Sequence, residues 1–152
     1  MSEAKPFVIG EMDRSHLPQV LEIERACYPA PWSESAFHHE MTSGSSVALV
    51  AMDGESVAGF LVGWIAADQV HVANIAVAAG YRRRGVGTVM MLRLIEEAVR
   101  RGCTSSSLEV RESNLAARSM YGRLGYHAVA LRKSYYSSPA EDAVVMVKNL
   151  EE

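Results

Sequence analysis

The sequence contains little cysteine: of its 152 residues only Cys27 and Cys103 are cysteines. Two cysteines cannot build a disulfide scaffold, and neither stands at a CxxC or Cys/His spacing. The five histidines are equally scattered and show no ligand spacing. We therefore expect free, largely buried thiols and no metal site. A catalytic cysteine is also unexpected, because no motif of a thiol nucleophile surrounds either residue.

Long apolar runs and an excess of positive charge are also missing. Every apolar run is broken by Gly, Asp, His or Arg well before 18 residues, and the first residues, MSEAKPF, contain no apolar signal region. The formal net charge is −3, which provides no overall basic field for a nucleic acid. We therefore expect a cytoplasmic protein with no membrane segment and no direct nucleic-acid partner.

Apolar residues recur with strand and helix periods along the whole chain, without repeats or a long linker, and predict one mixed α/β domain over residues 1–152. Two predicted helices start near Ser15 and Ser33, and two more cover 88–101 and 114–124. The segment 70–110 has the strand-helix-strand order of a βαβ crossover, so we expect a parallel pair there. The predicted strands are 5–11, 46–52, 56–67, 70–78, 105–110, 126–133 and 143–148.

Two local patterns make more specific predictions. Asp53-Gly54 lies between two strands and favours the positive φ values of a type I′ hairpin turn. In the helix 88–101 the apolar period allows two buried faces, and these are Val89, Leu92 and Ile95, or Met91, Ile95, Ala98 and Val99.

The stretch ANIAVAAGYRRRGVGTVMMLRLIEEAV, residues 73–99, runs from a strand through three arginines and two glycines into an amphipathic helix. Gly85 and Gly87 leave the backbone open to a ligand, and the start of the helix offers unpaired N–H groups. This order predicts an anion site of pyrophosphate size. A Walker loop would need a lysine here, and a dinucleotide fingerprint would need a small residue at Met90. The alternative is a plain strand-turn-helix with solvated arginines.

Arg82, Gly85 and Gly87 match the pattern Arg/Gln-x-x-Gly-x-Gly/Ala of the GNAT superfamily of N-acetyltransferases, which the chain resembles over nearly its whole length. NIAV before the loop strengthens the resemblance. LEVRESNLAARSMYGRLGY at 108–126 resembles the second half of the same fold and narrows the resemblance to the ribosomal-protein alanine N-acetyltransferases, which segments 22–37 and 132–146 also resemble. AAGY stands where the family commonly has Asp-Pro-x-Tyr, a departure that we expect to loosen the turn. The resemblance implies the GNAT fold, with a mixed central sheet of about six to seven strands and about four flanking helices.

The same resemblance implies acetyl-CoA as cosubstrate and no metal. The extended arm of CoA adds along a strand edge, and one N–H near Val77 holds the thioester oxygen. Among the three arginines we favour Arg82 and Arg84 for phosphate, because a run of three usually includes a solvated residue. The implied binding residues are Ile75, Ala76, Val77, Arg82, Arg83, Arg84, Gly85, Val86, Gly87, Thr88 and Asn114.

Acetyl transfer to an α-amine needs a base, because the amine has a pKa of about 7.7–8.0 and is largely protonated at neutral pH. Glu109 is the candidate, since a carboxylate among the apolar residues of a strand accepts a proton more readily than a solvated one. The resemblance assigns it the same role, acting through a water. The alternative is a strand carboxylate paired with Arg111 or Arg83. Glu112, beyond the strand, is expected at the surface.

Tyr121 follows Asn114 by seven residues, so we expect the two on one side of a helix. The resemblance implies that the tyrosine donates its phenolic proton to the departing CoA thiolate and that the asparagine binds the pantetheine arm. The alternative for Tyr121 is a core aromatic packed beside Leu124.

The resemblance implies an N-α-acetyltransferase that acts on a protein N-terminus, with the N-terminal alanine of a small-subunit ribosomal protein as the expected acceptor. Aromatic side chains can line the entrance for such a peptide, although simple core packing is the alternative. An acetyltransferase for a small amine or an internal lysine, and a CoA-binding regulatory module without catalysis, remain open. We expect a monomer or weak dimer. The candidate acceptor residues are Tyr28, Trp32, Tyr135 and Tyr136.

Overall fold

The structure is a computed structural model that describes residues 7–151. Its seven strands are β1 (Val8–Glu11), β2 (Ser46–Asp53), β3 (Ser56–Ala66), β4 (Gln69–Val77), β5 (Ser105–Arg111), β6 (His127–Ser137) and β7 (Ala140–Asn149). They form one sheet in the order β1-β2-β3-β4-β5-β7-β6. Only the β4–β5 pair is parallel, as the predicted crossover requires. The first two residues of the predicted strand 5–11 lie outside the described residues.

Four helices cover the two faces of this sheet: α1 (Leu17–Cys27), α2 (Glu34–Thr42), α3 (Val86–Arg100) and α4 (Leu115–Arg123). The Ser33 hydroxyl accepts a hydrogen bond from the Ala36 N–H and caps α2, as its position predicts. A short 3-10 turn at Arg14–His16 precedes α1. The mixed α/β fold, with seven strands and four helices, is confirmed. No helix within residues 7–151 is long and apolar enough to cross a membrane.

The last hairpin is longer than predicted. β6 starts at His127 and continues to Ser137, and β7 begins at Ala140. Nearly every residue of β6 is exposed, because this strand lies at the edge of the sheet with no helix over it. An edge strand without a buried face gives no apolar alternation, so the sequence pattern predicted its end too early.

Two local predictions are corrected by the backbone. The turn after β2 is Gly54-Glu55, and only Gly54 has a positive φ (61°), which fits the II′ pattern rather than I′. In α3 the first predicted face is wrong, since Val89 and Leu92 are exposed. The second is largely right but includes the exposed Val99, and the buried residues are Val86, Met90, Met91, Leu94 and Ala98. Because α3 also carries apolar residues on its exposed side, its period alone could not choose the buried face.

The sheet separates two apolar cores. On one face α3 and α4 bury residues such as Met90, Leu94 and Leu108. On the other face α1 and α2 bury residues such as Phe37 and Phe60. Both cysteines are free, with Cys103 buried in the first core and Cys27 partly exposed. The sheet is thus buried on both sides, so any route between its faces must pass through a gap between strands.

Such a gap opens between β4 and β5. The two strands pair only at Gln69–Ser105, Val70–Ser106 and His71–Ser107. Directly after this contact β4 carries a bulge: Val62 pairs with Asn74 and Gly63 with Val72, so Ala73 is an extra residue. Beyond the bulge β4 continues beside β3 while β5 continues beside β7. The two strands part, and the second half of β4 presents an unpaired edge.

We predict that Gly59→Ala destabilises the protein. A Cβ at this position would lie 2.8 Å from the Ala76 carbonyl oxygen, a backbone atom of β4 that cannot turn away. Overpacking of this kind costs about 1–3 kcal/mol in the free energy of unfolding, which urea titration measures. Gly10→Ala is the matched control, because a Cβ there meets nothing within 4 Å. Equal stability of the two variants would contradict the close approach of β3 and β4.

Candidate active site

The parted edge of β4 is the floor of the site. Its carbonyl groups at Ile75 and Val77 receive hydrogen bonds from side chains instead of from β5. The Tyr28 hydroxyl donates to the Ile75 oxygen, and Arg82 Nε donates to the Val77 oxygen at 3.4 Å. Backbone groups of a strand edge keep their hydrogen-bonding capacity when no neighbouring strand is present. This edge can therefore bind an extended ligand that carries amide groups.

The glycine loop ends where α3 begins. Gly85 is the N-cap residue of α3 and has a left-handed backbone (φ 81°), and a Cβ there would meet nothing within 4 Å. The first intrahelical bond runs from the Val89 N–H to the Gly85 oxygen at 3.0 Å. The N–H groups of Val86, Gly87 and Thr88 therefore lie in the first turn, where a helix has no carbonyl partners for them. The helix starts at Val86, two residues earlier than predicted, so both glycines lie at its N-terminus.

Gly87 has a second role that the sequence did not indicate. A Cβ at Gly87 would lie 3.0 Å from the sulfur of Met120, so the missing side chain lets α4 approach the start of α3. The AAGY segment forms a 3-10 turn in which the Tyr81 N–H donates to the Ala78 oxygen at 2.9 Å. The Tyr81 hydroxyl in turn donates to Asp53 at 2.8 Å and anchors the turn to the end of β2. The departure from the common family pattern therefore leaves a fixed turn ahead of the loop.

The three arginines of the loop have different surroundings. Arg82 turns back toward the strand edge, where its Nη2 also contacts the Cys27 sulfur at 3.4 Å. The Arg84 guanidinium lies over the Tyr81 ring, 5.2 Å from its centroid, and near Phe7. Arg83 has a left-handed backbone with φ 63°. Their contacts with phosphate remain predictions.

Glu109 lies on β5 just beyond the point where the strands part. Its neighbours Leu108 and Val110 are buried in the core on the α3–α4 face of the sheet, so Glu109 faces the opposite side, where its side chain is 11% exposed. Its Oε1 lies 3.0 Å from Nε2 of His71. The alternative pairing with Arg111 or Arg83 is wrong, because Arg111 is bound elsewhere and Glu109 pairs with a histidine that the sequence pattern did not connect to it.

His71 and Trp64 are site residues that sequence reasoning missed. His71 contacts Ser107 Oγ through Nδ1 at 3.1 Å, and its ring stacks on Trp64 with 6.0 Å between centroids. Trp64, 43% exposed, stacks in turn on Trp32 at 6.3 Å. No spacing relates these residues along the chain, because they meet only through the β3–β4–β5 register. The result is an aromatic surface, Trp32–Trp64–His71, that leads to Glu109.

Tyr121 lies on the other face of the sheet. It is buried on α4 beside Tyr126, with 5.9 Å between ring centroids, and burial raises its pKa far above the ordinary value. Burial likewise raises the pKa of Tyr28, and proximity to Tyr121 adds to that rise. Tyr121 is therefore protonated at neutral pH. It is a core aromatic close to Tyr28, whose hydroxyl contacts the edge of β4, and its role as the acid remains a prediction.

The β6–β7 hairpin supplies the remaining wall. The pKa of Tyr136 is raised to about 12, mainly by burial and in part by its neighbours Tyr135 and Glu109, while Arg111 acts in the opposite direction. Tyr136 also adds to the raised pKa of Tyr121, so it lies near both candidate catalytic groups. Tyr135 stacks edge-on against Tyr136 at 5.0 Å and is 46% exposed. The hairpin thus brings two aromatic rings over the Glu109 side of the gap.

Arg111 fixes this hairpin. Its guanidinium donates to the carbonyl groups of Ser138 and Pro139 at 3.0 and 2.9 Å and to Glu141 at 3.2 Å. It also lies 4.2 Å from the centroid of the Tyr136 ring. Glu141 further accepts from the Ser113 N–H, and these hydrogen bonds lower its pKa. The hairpin tip is therefore tied to the end of β5.

Asn114 lies at the start of the helix that carries Tyr121. It is the exposed N-cap residue of α4, and its Oδ1 accepts from the Ala117 N–H at 3.2 Å. Tyr121 is buried two turns later, and a ligand that contacts both residues remains a prediction. The amide nitrogen of Asn114 is still free of the cap, and its contact with a pantetheine arm remains a prediction.

Glu24 positions the α1–α2 connection. This carboxylate is only 1% exposed, and its two oxygens accept from Asn74 Nδ2 and from the Trp32 N–H, both at 2.9 Å. Asn74 follows the bulge in β4, so the pair ties the parted strand to the loop that carries Trp32. Such a buried carboxylate is stable only while both oxygens keep their donors.

Comparison with known proteins gives the class. The sequence profile of the acetyltransferase (GNAT) family matches residues 17–126, and this chain belongs to that family. The fold and the glycine loop before α3 agree with this membership, and the superfamily predicted from the sequence is confirmed.

Particular relatives are named more narrowly. The chain is 32% identical to the ribosomal protein bS18-alanine N-acetyltransferase of Escherichia coli K12, over 91% of this chain and 94% of that protein. It is 30% identical to a putative enzyme of the same name from Bacillus subtilis, over 91% of this chain and 92% of that one. The crystal structure of the Escherichia coli enzyme superposes with a TM-score of 0.87 at 30% identity, covering 96% of this chain and 95% of that chain.

We predict that Glu24→Gln destabilises the protein. An amide has one acceptor oxygen, so its NH₂ group must face one of the two donors that Glu24 now accepts from. The expected loss is about 1–3 kcal/mol in the free energy of unfolding, read from urea titration. Glu22→Gln on the exposed side of α1 is the matched control and should change stability by less than about 0.5 kcal/mol. A neutral Glu24→Gln would mean that the carboxylate does not hold this loop.

Proposed function

We propose that this chain transfers the acetyl group of acetyl-CoA to the N-terminal amine of a protein, and that the acceptor is the N-terminal alanine of ribosomal protein bS18. The observation that carries the proposal is the parting of β4 and β5, with the carboxylate of Glu109 on β5 just beyond the last parallel pair. Tyr136 lies near both Glu109 and Tyr121, which supports a common role for the two groups. The relatives named for acetylation of that alanine support the choice of acceptor.

The residues around the gap fit acetyl-CoA. The unpaired edge Ile75–Ala76–Val77 suits the amides of the pantetheine arm, and the open first turn at Val86, Gly87 and Thr88 suits the pyrophosphate. Gly85 leaves room for a close approach, and Arg82, Arg83, Arg84 and Asn114 are the proposed polar contacts. When bound, acetyl-CoA supplies an acetyl group on a thioester whose C–S bond breaks as the new C–N bond forms.

Glu109 is the proposed general base. Its carboxylate is partly buried and faces the gap on the side of the aromatic wall, so a water held there can pass the proton of the acceptor amine to it. Loss of that proton leaves the amine nitrogen with the free electron pair that forms the C–N bond.

Tyr121 is the proposed general acid. Its raised pKa keeps the phenol protonated throughout the neutral range, so the O–H is available to the sulfur that leaves. The acceptor peptide is proposed to enter between two aromatic walls, with Tyr28 and Trp32 on one side and Tyr135 and Tyr136 on the other. Aromatic side chains hold a short peptide with little loss of rotamer entropy.

The proposed function first predicts which acceptor is acetylated. With acetyl-CoA we expect thiol release on an alanine-initiated hexapeptide and none on the same peptide with a blocked N-terminus, because only a free α-amine can attack the thioester. Spermidine and free lysine serve as controls. Turnover with these small amines alone would replace the proposed acceptor by a small-molecule amine. Saturable acetyl-CoA binding without turnover on any of them would favour the regulatory module.

A second prediction tests the acid. Tyr121→Phe should lower kcat by about 10²-fold, the typical contribution of a positioned proton donor, while the KM for acetyl-CoA changes little. Tyr126→Phe is the matched control: it removes a buried hydroxyl that contacts Ser106 at 2.6 Å, so it should lower stability but not kcat. An unchanged kcat in Tyr121→Phe would remove the residue from the chemistry.

A further inference from the structure

His71 occupies the fork of the sheet. It forms the last parallel pair, with Ser107, before β4 and β5 part, and Glu109 lies two residues farther along β5. Both ring nitrogens are engaged, Nε2 with Glu109 at 3.0 Å and Nδ1 with Ser107 at 3.1 Å. The ring plane rests on Trp64. Few orientations of an imidazole satisfy three such contacts at once, so the ring is held firmly.

The geometry allows one hydrogen-bond assignment toward the carboxylate. A neutral ring that accepts from the Ser107 hydroxyl at Nδ1 carries its proton on Nε2, and a protonated ring carries one on both nitrogens. In either state Nε2–H donates to Oε1 of Glu109. Within residues 7–151 the contacts of this carboxylate go to Oε1, which leaves Oε2 for the reacting groups.

We propose that His71 is a positioning residue for Glu109, whose rotamer it holds so that Oε2 receives the proton of the acceptor amine. The proposal rests on the function proposed above. A fixed rotamer avoids the entropy loss of ordering the base at each turnover. Trp64 supports the arrangement because its ring limits the rotation of the imidazole.

Two titratable side chains of β6, Tyr135 and Tyr136, also lie near Glu109. In the described part of the chain neither of them donates a hydrogen bond to this carboxylate, and Arg111 is bound to the hairpin tip. His71 is therefore the donor that holds Glu109.

Two substitutions separate positioning from packing. His71→Phe keeps an aromatic ring against Trp64 but removes both hydrogen bonds, whereas His71→Gln keeps an N–H donor. We expect His71→Phe to lower kcat about tenfold, the loss of one hydrogen bond to a charged group, with the KM for acetyl-CoA unchanged. His71→Gln should recover most of that loss. His127→Ala, an exposed histidine at the start of β6, is the matched control and should behave like the parent protein.

A double-variant cycle supplies a readout that packing would not move. In a Glu109→Gln background, His71→Phe should cost no further activity, because the group it positions is gone.

The outcomes distinguish this inference from the proposed function. A parent protein that fails to acetylate the alanine peptide contradicts the function. An active parent whose Glu109→Gln variant keeps full kcat/KM contradicts the base. If Glu109→Gln is impaired but His71→Phe keeps the parental kcat, or lowers activity equally in both backgrounds, His71 does not position the base.

Discussion

The short parallel contact between β4 and β5 is the constraint on which the rest of the site depends. Three residue pairs hold the strands together, and the bulge at Ala73 then turns β4 away. A sheet buried on both faces otherwise offers no passage, since its backbone groups are paired. In the gap, the carbonyl oxygens of β4 have no partner on β5 and need other donors. Tyr28 and Arg82 supply these hydrogen bonds. An extended amide chain would make the same kind of bond.

Two glutamates differ in how many of their carboxylate oxygens are hydrogen-bonded, and this difference distinguishes a structural carboxylate from a proposed catalytic one. Glu24 is fully buried, and both of its oxygens accept hydrogen bonds that join the α1–α2 connection to β4. Because of this burial, its carboxylate is not accessible to a substrate. Glu109 is slightly exposed and has one oxygen bound by His71. The first arrangement costs stability if it is broken, while the second leaves an acceptor directed toward the gap. The same residue type serves structure in one place and, as proposed, chemistry in the other.

Much of the fold followed from pattern. The four helices, the parallel crossover around the glycine loop and the family were all predictable, because caps, glycines and apolar periods act over short distances. Pattern failed where apolar residues did not mark one buried face. α3 carries apolar residues on its exposed side as well, so Val89 and Leu92 were assigned to a face that is exposed. β6 has no buried face, so its end was placed too early.

The sequence by itself determined the class of protein and the residue types of the site: the glycine loop, Glu109 on its strand and Tyr121 on its helix each lie within a continuous motif. Only the tertiary structure decided which groups meet. His71 lies 38 positions before Glu109, and Trp32, Trp64 and His71 come from a loop and two strands. Their contact depends on strand register and on one bulge, and a single extra residue in β4 reverses which side chains face α1. Local periodicity contains no information on that register.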